Sequence, residues 1–262
     1  MNKEAIGEQL WENTTVREMA TKIDRVKDVF ENVPRYLDRQ NVDIRVRAKT
    51  VKVLSSLIKW RRLLDIGCGD GSISLPLVTP EVHLTMLDLS SSMAAITKAK
   101  VPEELSGNVV VKNENFMTAS FHPGSFDLIV SVGVLAHVDS PDEFISRIQQ
   151  LLVPGGSLIV EFTDCRHVVG RFGRFLGSLT ELLKPAKYPT NRLSFSEMAE
   201  IFNRHNLQLM TTFRYATIPI PGVSRVVSQQ KQFSLVERMF GTGGQNKNAY
   251  LGNEYICWLT AR

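Results

Sequence analysis

The sequence predicts an α/β fold, a doubly wound and mostly parallel seven-stranded sheet with a helical N-terminal lead and helical cover insertions. Three observations predict it. From Arg62 onward, short apolar runs alternate with helix-like stretches, the pattern of a parallel sheet with helices on both faces. The first run, Leu63–Ile66, passes directly into a glycine loop, Gly67-Cys68-Gly69-Asp70-Gly71. Two longer apolar runs near the C-terminus, Leu207–Thr217 and Tyr250–Ala261, complete the strand count.

In chain order, residues 15–31 and 43–59 read as helices. In the second, Ile44, Val46, Val51, Val53, Leu54, Leu57 and Ile58 form a rough helical stripe, and Pro34 separates the pair. Strands are expected at Leu63–Ile66, His83–Asp88, Asn108–Lys112, Phe126–Val132 and Ser157–Phe162. Helices are expected at Gly71–Val78, Ser91–Lys100 and Pro141–Leu152. Beyond Thr163 the alternation loosens. Ser194 followed by Glu197 makes a capping box for a helix over Phe195–His205. Residues 219–245 are too many for a hairpin turn, and Val223–Phe240 is expected to supply a helix. The division expected is a helical lead over 1–60 and a ligand-binding domain over 61–262, with cover segments near 164–192 and 219–247.

The 262 residues are 43% hydrophobic and 22% charged, ordinary for a globular chain and unlike a disordered one. No apolar run approaches the length of a spanning helix, and Met1–Leu10 has no apolar signal core, so a cytoplasmic protein is expected. Three widely spaced cysteines, Cys68, Cys165 and Cys257, suggest neither a disulfide framework nor a zinc site, and no metal is expected. The net charge of +4 is uneven: residues 1–60 carry +3, residues 61–162 carry −6 and residues 163–262 carry +7. Basic flanks can attract an anionic substrate, a nucleic acid or a membrane surface, and they also serve as plain solvated surface. No run of basic residues reads as a nucleic-acid stripe.

The loop differs from the two common phosphate-binding patterns. The position three after Gly69 is Ser72, so the third glycine of the dinucleotide pattern is missing, and no Gly-Lys-Ser/Thr ending follows. Asp65, just before the loop, suits a ligand with an ammonium group better than a pyrophosphate. Asp88 ends the next strand, where a carboxylate accepts hydrogen bonds from ribose hydroxyls in folds of this kind. Its competing role is to cap the following helix, for which Ser90 is equally suited.

With LLDIGCGDG (63–71), MLDLS (86–90), ENF (114–116), FDLIVSVGVLAHV (126–138) and LVPGGSLIV (152–160) in this order, the chain resembles the class I S-adenosylmethionine-dependent methyltransferases over residues 60–163. The resemblance implies S-adenosyl-L-methionine as cofactor and S-adenosyl-L-homocysteine as product. It implies that Asp65 and the Gly67, Cys68 and Gly69 backbone hold the methionine part, and that Asp88 holds the ribose. Leu89 and Met93 would flank the adenine, with Asn115 and Phe116 beside it. Asn115 departs from the usual acid, although its amide oxygen still accepts from an adenine amine. Val132 would lie near the methionine ammonium or the reacting methyl, and Pro154-Gly155-Gly156 would be a structural turn.

A methyl transfer needs chiefly alignment, with a base where a proton must leave. His137, after the fourth strand, is the candidate base, with pocket wall or helix start as its competing role. Glu161, Asp164 and His167 are weaker candidates, and Tyr36 could close over the cofactor. Residues 131–134 are Ser-Val-Gly-Val, not the Asn/Asp-Pro-Pro-Tyr of enzymes that methylate base or amide nitrogens. The expected function is therefore methyl transfer to an O or N atom of a small metabolite, aromatic or anionic. The anionic reading rests on the arginines of the cover segments, Arg166, Arg171, Arg174, Arg225 and Arg238. An RNA or protein methyltransferase is the alternative, with a non-catalytic module and an NAD or nucleotide-sugar enzyme behind it.

Overall fold

A computed structural model of the chain describes residues 24–31, 41–167, 190–217 and 227–262. Its centre is one seven-stranded sheet in the order β3-β2-β1-β4-β5-β9-β6. The strands are β1 (Arg62–Ile66), β2 (His83–Asp88), β3 (Val109–Asn113), β4 (Phe126–Ser131), β5 (Leu152–Thr163), β6 (Leu207–Tyr215) and β9 (Glu254–Ala261). A two-stranded hairpin, β7 (Gly241–Thr242) with β8 (Gln245–Asn246), stands apart from this sheet. The first five strands are mutually parallel, and β9 runs antiparallel between β5 and β6. The order reverses between β1 and β4, which opens a crevice at their carboxyl ends.

Helices cover both faces. The described part of α1 is 24–31; α2 is Asn41–Ser56, α3 Ser91–Lys100, α4 Pro141–Leu151, α5 Phe195–Arg204 and α6 Gln229–Phe240. On one face α4 (Phe144, Ile145, Ile148) and α5 (Met198, Ile201, Phe202) pack on Leu64, Ile66, Leu158 and Val160. On the other, α2 (Val46, Val51, Leu54) and α6 (Phe233, Val236, Phe240) pack on Leu63, Ile159, Phe213 and Ile256. Alternate residues of each strand therefore serve opposite faces, as pleating requires. The lead helix α2 is thus part of the main core. It is tied to α6 by the Lys49–Glu237 ion pair and by Arg45, whose guanidinium lies 4.2 Å from the Phe233 ring centroid.

Caps set the helix starts. Ser90, Ser140, Ser194 and Ser228 each accept a backbone N–H of the first turn, and the Ser194–Glu197 capping box is complete. The helix expected over Gly71–Val78 is replaced by turns and a short 3-10 segment, Leu75–Leu77. Gly71 has φ +80° and Pro76 carries no N–H, so an α-helical ladder there has neither the backbone nor the donors. The last strand begins at Glu254, later than Tyr250, because Ala249–Leu251 forms a 3-10 turn ahead of it. The expected helix over 15–31 is described only from residue 24, and the one over 223–240 from Gln229. Tyr36 and most of the segment 164–192 lie outside the described residues. Among the described residues no helix is long and apolar enough to cross a membrane.

Leu54 is fully buried between α2 and the sheet. Leu54→Ala is expected to cost about 2–5 kcal/mol, read as a lowered midpoint in urea unfolding. A surface-like change near zero would detach α2 from the core.

Candidate active site

At the crevice between β1 and β4 lies a cavity of about 300 Å³. Its wall brings together Gly67, Gly69, Asp88, Leu89, Met93, Asn115, Phe116, Val132 and His137, nine residues that lie up to seventy positions apart in sequence. Val26 and Phe30 of α1 close it from above. Glu31 holds α1 in place by accepting the Ser91 N–H at 2.8 Å and the Ser92 N–H at 3.2 Å at the start of α3, together with both serine hydroxyls. These bonds, the Ser92 hydroxyl foremost, pull the Glu31 carboxyl down to about 2.

Asp88 is the hinge pin of the loop. One oxygen accepts the Gly69 N–H and the other the Ser90 N–H, both at 2.8 Å. The helix cap itself belongs to Ser90, which accepts the Met93 N–H. Gly67 and Cys68 both donate to the Leu87 carbonyl, at 2.8 and 2.9 Å. All three amides of the Gly67–Gly69 backbone are thus committed inside the protein. The loop has no spare donors at these positions for a pyrophosphate, and what it can offer is carbonyl oxygen and open Cα surface.

Two expected contact residues stand behind the wall. Cys68 points into the core beside Val46 and Leu84, and burial drives its thiol well above the ordinary range. Being flanked by two inward-bent glycines, it turns its side chain away from the cavity. Asp65 lies on the same strand face as Leu63 and is 1% exposed. Burial, with a smaller push from Asp88, raises its carboxyl to about 7, and Ser74 opposes the shift. Neither the Ser74 hydroxyl nor Asp65 Oδ2 has an aligned hydrogen-bond partner. Gly67 and Gly69 have different reasons to be glycine. A Cβ on Gly67 would meet Val134 Cγ2 at 2.4 Å, inside the protein. A Cβ on Gly69 would meet nothing within 4 Å and would stand in open space beside the cavity.

At the far end, Asn115 Oδ1 accepts the Met117 N–H, which leaves it one lone pair toward the cavity. Phe116 packs edge-on against Phe144, with centroids 5.1 Å apart, and its carbonyl accepts from Arg147. These contacts fix the floor of the cavity.

His137 sits where the cavity meets a second one of about 210 Å³. Phe30, Gly133, Val134 and His137 line both. The Phe30 and His137 rings meet edge-on at 5.4 Å. Asn191 clamps this wall by donating from its side chain to the Leu135 and Val138 carbonyls and from its backbone to Ala136. Beside Leu135, Ala136 and Phe162, the rest of the second cavity's lining is polar: Asp43 and Arg47 from α2, Glu161 and Thr163 from β5, Thr217, and Glu254 from β9. Arg47 Nε stands 2.6 Å from Glu161 Oε2 as an ion pair without hydrogen-bond alignment. Tyr215 donates to the other Glu161 oxygen at 2.7 Å. Burial alone would lower the Arg47 guanidinium, but Glu161 and the neighbouring acids outweigh it and hold it charged. Burial raises the carboxyls of Asp43 and Glu254, and the Glu161 charge raises both further.

Of the weaker base candidates, Glu161 lines this cavity, whereas Asp164 and His167 are on neither wall. Sequence reasoning missed Glu31, Asp43, Arg47, Asn191 and Glu254. The available signals were a lone acid in each apolar run, Glu161 in LIVEF and Glu254 ahead of YICWL, both on the α2 face by strand parity.

Residues 64–160 match a family described as "Methyltransferase domain". The chain is 30% identical over 159 residues to a demethylmenaquinone methyltransferase of Listeria welshimeri, spanning 57% of this chain and 67% of that one. It belongs to the class I S-adenosylmethionine-dependent methyltransferases. Among solved structures it is similar to a possible histamine N-methyltransferase from Thermotoga maritima, with TM-score 0.63, 17% identity, and 90% and 99% of the two chains covered. Magnesium protoporphyrin IX methyltransferase from Synechocystis, solved with bound S-adenosyl-L-homocysteine, gives TM-score 0.59, 17% identity, and 92% and 100% coverage. The first cavity fits the cofactor of this class. It has the open Gly69 surface and no spare amide at 67–69 that would select a phosphate, and the buried carboxyl of Asp65 stands behind its wall.

Because both loop glycines have positive φ, alanine at either costs about 1–2 kcal/mol in backbone strain. Gly67→Ala is expected to lose further stability through Val134. Gly69→Ala is expected to unfold near the temperature set by that strain alone and to bind S-adenosyl-L-homocysteine at least tenfold more weakly in calorimetry. Asp65 supplies a pH test. Its folded value lies above that of the unfolded chain, so the folded form holds the extra proton and loses stability as pH rises from 4 to 7. The stability difference between Asp65→Asn and the parent, measured without cofactor, should grow in favour of Asn across that window by at most about 1.4 kcal/mol per pH unit. A flat difference would show that Asp65 ionises freely.

Proposed function

We propose that this enzyme transfers the methyl group of S-adenosyl-L-methionine to an O or N atom of a small molecule seated in the second cavity. The observation that carries the reading is the shared wall, Phe30 with Gly133, Val134 and His137, across which the two cavities meet. The cofactor brings an electrophilic methyl on a sulfonium. Asp88 would accept from the ribose with the lone pairs left over from its two backbone bonds. Leu89, Met93 and Phe116 would enclose the adenine, with the remaining Asn115 lone pair toward its amine. The buried Asp65 charge would find its missing partner in the methionine ammonium, held against the Gly67–Gly69 backbone and Val132.

Alignment across the wall supplies most of the acceleration, since well-oriented reactants gain about 7–11 kcal/mol. His137, on both walls, would take the proton of an acceptor hydroxyl or amine as the carbon–sulfur bond breaks. The name of the 30% identical relative, a demethylmenaquinone methyltransferase, supports a small-molecule acceptor. The second cavity supports it over RNA, because three carboxylates would repel a phosphodiester.

Labelled S-adenosyl-L-methionine incubated with a metabolite extract should give a labelled small molecule. His137→Ala should then lower kcat about 10²–10⁴-fold, the range of a positioned base, with cofactor affinity held. Full turnover in the variant would remove His137 as base, and label in macromolecules only would sink the small-molecule reading.

A further inference from the structure

Asp88 grips the glycine loop from one side, and α3 grips it from the other. Thr97 donates its hydroxyl to the Gly69 carbonyl at 2.7 Å. Lys100 donates its ammonium to the Asp70 carbonyl at 3.0 Å and to Asp70 Oδ2 at 2.6 Å. Two successive loop carbonyls are thus held by side chains that share one face of a helix. Met93, on the same face, is part of the cavity wall. The helix therefore meets the cavity in its first turn and holds the adjoining loop further along. Neither Thr97 nor Lys100 lines the cavity itself.

Gly69 is where these bonds converge. Asp88 accepts its N–H at 2.8 Å and Thr97 donates to its carbonyl, so the peptide groups on both sides of its Cα are fixed, with φ at +55°. Gly67 and Gly71 also have positive φ. Glycine takes either sign of φ with similar ease, so a stretch of this kind keeps one shape only where its surroundings pin it. A threonine inside a helix commonly bonds back to a carbonyl of its own preceding turn. Thr97, which is fully buried, reaches across to the loop instead. Its methyl carbon lies 3.1 Å from where a Cβ on Gly71 would stand, so its two branches have separate tasks, a bond to Gly69 and packing at Gly71.

We infer that Thr97 and Lys100 are positioning residues for the cofactor, holding Gly69 and Asp70 in the conformation that keeps the Gly69 Cα surface open to S-adenosyl-L-methionine. The inference rests on the reading that the first cavity receives the cofactor. A loop released from α3 samples shapes in which Gly69 is turned out of place, and binding weakens in proportion to the time spent in them. Thr97 acts through its hydroxyl, and its methyl group contributes packing. Lys100 is 45% exposed, so water and salt weaken its hold.

The test is calorimetric titration of the full chain with S-adenosyl-L-homocysteine, beside thermal unfolding without ligand. Thr97→Val keeps the side-chain shape and removes the hydroxyl, whereas Thr97→Ser keeps the hydroxyl and removes the methyl. Thr97→Val should bind about fivefold more weakly or worse, as for a loop that holds its binding shape about a fifth of the time. Thr97→Ser should bind within about twofold of the parent, and Lys100→Met about twofold more weakly or worse. A role in stability alone would lower the thermal midpoint of the Thr97 variants and leave affinity untouched. Parental affinity in folded Thr97→Val, or equal weakening in Thr97→Val and Thr97→Ser, would overturn the positioning role. Where Thr97→Val does not fold, parental affinity in Lys100→Met would overturn it. Absence of binding by the parent chain would instead overturn the cofactor reading beneath it.

Discussion

The carboxylate of Asp88 is the constraint on which the candidate cofactor site depends. Its two oxygens hold the Gly69 and Ser90 amides, so one side chain fixes both the bend of the glycine loop and the start of α3. That start in turn receives Glu31, and Glu31 brings Phe30 over the cavity. A chain of short hydrogen bonds thus runs from the end of β2 to the partition between the two cavities. The amides of Gly67, Cys68 and Gly69 are spent in building this arrangement, which leaves none of the three for a phosphate. It leaves carbonyls and buried carboxylate for a ligand whose charge is positive.

The same economy governs the second cavity through strand parity. Glu161 and Glu254 project to the α2 face because Ile159 and Ile256, two residues away on the same strands, do so. Asp43 and Arg47 sit one turn apart on α2 and meet them from above. The polar cluster stands at the strand ends facing His137, where the apolar core stops. Desolvation of these buried charges offsets much of their mutual attraction, so the cluster by itself gives little to stability.

What was legible in the sequence follows from how local each signal is. The loop, Asp65, Asp88 and the alternation of strands and helices are contiguous or repeat at a fixed period, and the sheet order and crevice follow from them. The inward side chain of Cys68 and the internal bonds of the loop amides were not legible, since a glycine string shows that the backbone turns sharply but not which way its N–H groups face. The 71–78 helix failed where Gly71 and Pro76 outweighed an apolar pattern. The second cavity was illegible for another reason: Asp43, Glu161, Thr217 and Glu254 are brought together only by the fold. Charge summed along the chain pointed to a basic cover, while the described lining of the cavity is acidic.

A structure of the enzyme crystallised with S-adenosyl-L-homocysteine addresses the central claim most directly. The account predicts ribose hydroxyls on Asp88, adenine between Leu89 and Phe116, and the sulfur at the Gly133–His137 wall, turned toward the acidic cavity. A ribose away from Asp88, or a sulfur facing away from that wall, would contradict it.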